Sequence, residues 1–169
     1  MTGNPLAASL VSVWLLACAA HADPTLDGRR VTLNVLTYDD PAKPLLESIG
    51  RTVTVGPGIE FGMGPEGWTN GLDVVPVQVE IGPDRIEFSY GEGPGTFWTA
   101  AFNGYVVRFA GDCALFSGAR IDGTATTMQV GDADIRVGPQ ALYINVAGRD
   151  YGPDKRLALD LKVEDCPLS

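Results

Sequence analysis

Carboxylates are the reactive side chains most plentiful in this chain, with 21 Asp and Glu against 12 Lys and Arg, one histidine and three cysteines in 169 residues. The histidine, His21, shares an uncharged opening stretch of 22 residues with Cys18. Histidine suits proton transfer near neutral pH and is the commonest metal ligand. With that stretch removed, the remaining chain has no imidazole, which excludes serine–histidine and cysteine–histidine hydrolysis and histidine-held zinc. Acid–base work would fall to carboxylates, and Glu80 and Glu87 are the pair to consider. They lie on the polar sides of two expected strands joined by Gly82-Pro83-Asp84, so a tight hairpin can bring them onto one face. Glycoside hydrolysis needs two carboxyls about 5 Å or about 6.5–9.5 Å apart around the scissile bond. Two exposed acids on a hairpin face are far more often a solvated surface than a catalytic pair. No spacing supports a serine–lysine pair, and no serine sits in a nucleophile elbow.

Two kinds of binding site are legible. Calcium takes six to eight oxygens from carboxylates and carbonyls, and two loops offer closely spaced acids: Asp132 with Asp134, and Asp150 with Asp154. Neither fits the twelve-residue EF-hand pattern, and turn-forming aspartates that bond their own backbone have the same appearance. Calcium is the one cofactor these residues suggest. Carbohydrate binding would use flat aromatic rings beside polar groups. Phe97 and Trp98 lie in a Gly- and Thr-rich loop, and Trp68 and Asn70 in another Gly-rich segment. The competing expectation is that the rings fold back to plug an end of the domain.

The opening stretch has the form of an address. Leu6 to Ala20 is an apolar run ending at Ala20-His21-Ala22, an h-region followed by a small-x-small cleavage site. At about 15 residues it is shorter than the roughly 20 a spanning helix needs. Leu15-Leu16-Ala17-Cys18 also has the shape of a lipobox, so two products stay open: a secreted or periplasmic protein of residues 23–169, or one lipid-anchored through Cys18 at the inner or outer membrane. In an oxidising compartment the remaining cysteines, Cys113 and Cys166, are expected to pair. The bridge would close a loop of about 53 residues and stabilise by roughly 4 kcal/mol in the chain-entropy view.

The elements that must hold these residues read as strands. Val31, Leu33 and Val35 alternate with Thr32 and Asn34, and period two recurs at Val75–Ile81, Ile86–Tyr90, Tyr105–Phe109, Leu142–Val146 and Leu157–Val163. Val53, Val55, Ile59 and Phe61 supply another strand or two, and Pro41 to Ser48 is the only stretch suited to a short helix. Gly-Pro follows a β-branched residue at 56–57, 82–83 and 138–139, and each pair marks a strand end or hairpin. With 45% apolar and 20% charged residues, 21 Gly and 12 Pro, residues 23–169 are expected to form one all-β domain, an antiparallel β-sandwich or jelly roll of about eight strands. A net charge of −9 disfavours nucleic acid and anionic lipid as partners.

Thr52-Val53-Thr54-Val55-Gly56-Pro57-Gly58-Ile59-Glu60-Phe61, Ala101–Val106, Leu142–Gly148 and Leu157–Leu161 recur in an order that resembles the exported all-β domains of bacterial PEP-CTERM-type surface proteins. The resemblance spans about residues 50 to 161 and rests on strand and turn residues. It implies an extracellular β-sandwich at the cell surface or matrix, usually without catalysis. The Pro-Glu-Pro sorting tail is not found in the sequence, so the resemblance does not extend to anchoring. Two functions are therefore expected to compete: a noncatalytic exported module that binds a polysaccharide, a surface protein or calcium, and a carboxylate-dependent glycoside hydrolase or lyase.

Overall fold

Alternating apolar residues build two antiparallel sheets packed face to face. The computed structural model describes residues 24–62, 75–91, 93–111 and 115–164. The first sheet contains β1 (Arg30–Tyr38), β2 (Leu46–Glu47), β3 (Arg51–Thr54), β8 (Phe102–Phe109), β10 (Ile135–Val137) and β11 (Ala141–Asn145), in the order β10-β11-β8-β1, with both β2 and β3 on the far side of β1. The second contains β4 (Ile59–Phe61), β5 (Val77–Ile81), β6 (Arg85–Tyr90), β9 (Phe116–Ile121) and β13 (Arg156–Val163), in the order β4-β5-β6-β13-β9. A two-stranded ladder of β7 (Gly95–Thr96) and β12 (Asp150–Tyr151) stands apart from both. Every strand pair is antiparallel, and among the described residues the only helical turn is a single 3-10 turn at Asp132–Asp134. The expected all-β sandwich is thus the fold.

Register fixes which residues face inward. Val31, Leu33 and Val35 of β1 lie opposite Phe109, Val107 and Tyr105 of β8, which lie opposite Leu142 and Ile144 of β11 where those strands overlap. In the second sheet Val79 and Ile81 pair with Phe88 and Ile86, which pair with Leu157 and Leu159. These two sets form one buried core, and each such side chain contributes about 1.5–3 kcal/mol by leaving water. Phe88 stacks on Tyr105 with centroids 4.9 Å apart, joining the two sheets at their middle.

The three Gly-Pro turns do different work. Gly82-Pro83 and Gly138-Pro139 close hairpins β5–β6 and β10–β11, with Gly82 N donating to Arg85 O at 2.8 Å and Gly138 N to Ala141 O at 2.7 Å. Gly56-Pro57 instead carries the chain from β3 in the first sheet to β4 in the second. Glu60 fixes that crossing, its carboxylate accepting from Gly56 N at 3.1 Å and Ile81 N at 2.7 Å. Pro41–Ser48 is no helix: Leu46 and Glu47 pair with Thr37 and Leu36, and Ser48 N donates to Val35 O. The open edge of β1 offers those groups partners that a one-turn helix interrupted by Pro44 would lack.

Candidate functional site

Where β1 ends and β8 begins, the sandwich opens into a cavity of about 320 Å³ whose lining includes Thr37, Phe97, Trp98, Asn103, Tyr105 and Tyr151. The loop before β8 supplies the mouth. Gly95 and Thr96 pair with Tyr151 and Asp150, and Thr96 Oγ1 donates to Asp150 Oδ1 at 2.7 Å. Phe97 N donates to Arg149 O at 2.9 Å, and Gly148 N donates to Phe97 O. Gly95 is required by this packing, because a Cβ there would run into the Tyr151 phenol.

Tied at both sides, the loop sends its two aromatic residues in opposite directions. Phe97 is 7% exposed and meets Tyr151 edge-on at 5.0 Å, Tyr90 at 5.9 Å and Tyr105 at 6.3 Å. Trp98 is 76% exposed. One ring plugs the sandwich, as expected of large aromatics, and the next stands at the rim. Asn103 holds the rim in place: its Nδ2 donates to Trp98 O at 2.9 Å, and its Oδ1 accepts from Thr37 Oγ1 at 2.9 Å. Its own N–H donates to Asn145 Oδ1 at 3.0 Å.

At the inner wall stands Tyr105, 1% exposed, with Tyr90 close behind it at 5%. Neither hydroxyl has a hydrogen-bond partner among the described residues. Burial pushes both phenols above their ordinary range, and the neighbouring Tyr90 raises Tyr105 further. The cavity lining combines aromatic rings with the hydroxyl and amide side chains of Thr37, Thr96, Asn103 and Tyr151. Nothing among its described lining residues is charged.

The other sequence candidates lie elsewhere. Glu80 and Glu87 are indeed directly opposite one another on β5 and β6. They project from the outer face of the second sheet, away from the cavity, and Glu87 is held by Arg85 Nε at 2.5 Å. Arg85 also binds Asp160 at 2.7 Å and Asp122 at 2.9 Å, so this surface is a cation surrounded by three acids. Asp132 accepts from Ile121 N, Asp134 from Gly131 N and Arg149 Nη2, and Asp150 from Thr96; Asp154 lies 3.4 Å from Lys155 Nζ. Among the described residues no three His, Cys, Asp or Glu converge as a metal site. Trp68, Asn70, Cys18, Cys113, Cys166 and the opening stretch lie outside the described residues. Sequence reasoning assigned Tyr105 to the core and passed over Thr37 and Tyr151; period-two patterning cannot separate a core position from one beside a void.

The chain matches no protein-family model, and neither a curated protein nor a solved structure is significantly similar to it.

Proposed function

We propose that this chain is an exported, noncatalytic β-sandwich of the periplasm, cell surface or extracellular matrix that binds a neutral carbohydrate at the cavity beside Trp98. The observation carrying the reading is the exposed indole of Trp98 at the rim of a cavity lined by further rings and by Thr37 and Asn103. A pyranose has the matching surface, with C–H faces that stack on an indole and hydroxyls that exchange hydrogen bonds with amides and phenols. The noncatalytic part is supported by Glu80 and Glu87, which lie on another face, where Glu87 is taken up by Arg85.

Export is supported by the opening stretch, whose apolar run and small-x-small site have the form of a signal peptide. Among the described residues no helix is long and apolar enough to cross a membrane.

A screen of the purified chain against neutral oligosaccharides and cell-wall polysaccharides tests the reading. Binding that quenches indole fluorescence and weakens about tenfold or more in Trp98→Ala is the expected result. Absence of any glycan ligand, or a ligand held equally well by Trp98→Ala, would overturn it. Mass spectrometry of the mature amino terminus separates a start at Asp23 from a lipidated Cys18.

A further inference from the structure

On the outer face of the first sheet, two arginines line one hollow, and neither meets a carboxylate among the described residues. Arg108 lies on β8 and Arg136 on β10, with β11 between them; Arg108 is opposite Ala141, and Arg136 is opposite Tyr143. Arg108 Nη1 donates to the neutral Asn34 Oδ1 at 2.8 Å. The Arg136 guanidinium lies over the Tyr143 ring with its Cζ 3.7 Å from the centroid. Neither forms an ion pair among the described residues, whereas Arg85, Arg149, Lys155 and Lys162 each do. The hollow has a volume of about 390 Å³, within the range of small-molecule sites. Its floor includes the turn Gly138-Pro139-Gln140, with the Gln140 amide donating to Gly111 O.

Two features make this unusual in a chain of net charge −9. The described residues that line the hollow include two cations and no carboxylate. Both cations are also oriented in advance. Stacking covers one face of the Arg136 guanidinium and leaves its in-plane N–H edge open, the geometry that grips an oxyanion through two parallel hydrogen bonds. Asn34 occupies one nitrogen of Arg108 and leaves the others.

We infer that this hollow, separate from the cavity at Trp98, is a binding site for a small acidic sugar, with Arg108 and Arg136 holding its carboxylate or sulfate. The hollow has room for a single sugar ring, and the net negative charge of the whole molecule repels long polyanions. A uronate and a sulfate ester share the recognised chemistry, an oxyanion on a sugar ring.

The test is titration of the full chain with glucuronate, with galactose 6-sulfate and with glucose at matched ionic strength, following the arginine Nε–Hε resonances by NMR. Saturable shifts of Arg108 and Arg136 with at least one acidic sugar, and none with glucose, are expected; which acid acts identifies the source of the oxyanion. Arg108→Gln and Arg136→Gln should each weaken binding about tenfold or more, and Arg136→Lys, which keeps charge but loses the planar fork, should weaken it as well. No saturable shift with either acid, an equal response to glucose, or affinity indifferent to the Gln variants would overturn the assignment. Shifts confined to an indole resonance would place the ligand at the Trp98 cavity and equally overturn it.

Discussion

A buried phenol without a partner is costly, and the interior of this protein holds two side by side. An unmet polar group loses its hydration and regains nothing, at about 1–3 kcal/mol. Tyr105→Phe should therefore raise stability by about 1 kcal/mol in urea unfolding, since the ring and its stacking on Phe88 remain. Both phenols are also held neutral by burial, so their folded pKa values lie above the ordinary value near 10. Their titration leaves stability unchanged below that pH and lowers it as pH rises past it toward the folded values. A spectrophotometric titration should show Tyr90 and Tyr105 ionising above their ordinary range, together with loss of the fold. Ionisation of these two phenols near pH 10 with the fold intact would contradict this. None of it was legible in the sequence: Tyr90 and Tyr105 fit an alternating strand, and periodicity says nothing about whether a hydroxyl finds a partner.

Strands with strong alternation were readable, and those without it were not. β1, β5, β6, β8, β11 and β13 each carry inward Val, Ile, Leu or aromatic residues at every second position. β9, Phe116-Ser117-Gly118-Ala119-Arg120-Ile121, breaks that pattern with small residues and is recruited only because β13 presents an open edge. β7 and β12 are two-residue ladders with no signal of their own. Gly104 in β8 shows how tightly such elements constrain composition. A Cβ there would collide with the backbone carbonyl of Ile144 on the neighbouring strand, so Gly104→Ala should destabilise by about 2–3 kcal/mol and disturb the cavity it borders. If the two cysteines of residues 23–169, Cys113 and Cys166, pair after export, a reductant should lower the melting temperature appreciably. An unchanged melting curve with dithiothreitol would remove the proposed bridge.

Over the whole molecule, negative charge is spread across the surface, but two acids are tuned by local contacts. Asp122 is held below the ordinary carboxylate range by the Thr124 hydroxyl and N–H and then by Arg85, and Glu164 by the Ser117 hydroxyl and then Lys162. With folded pKa values depressed, the stability they supply is present above about pH 4 and lost as pH falls through the folded values. Asp122→Asn should thus melt lower than the parent at neutral pH, and the gap should close on acidification; a gap independent of pH would refute the assignment. The fold class and its core were legible because they follow from composition and period. The cavity and the arginine hollow were not, because each assembles residues from strands and loops distant in sequence. The pairing of β1 with β8 carries that distance furthest, since on that side the eight residues from Val31 to Tyr38 wait for Phe102–Phe109. Likewise β6 stays half-paired until β13 arrives. A polypeptide emerging amino terminus first, from a ribosome or through a translocation pore, therefore cannot close either sheet until its last third is out, and remains threadable until then.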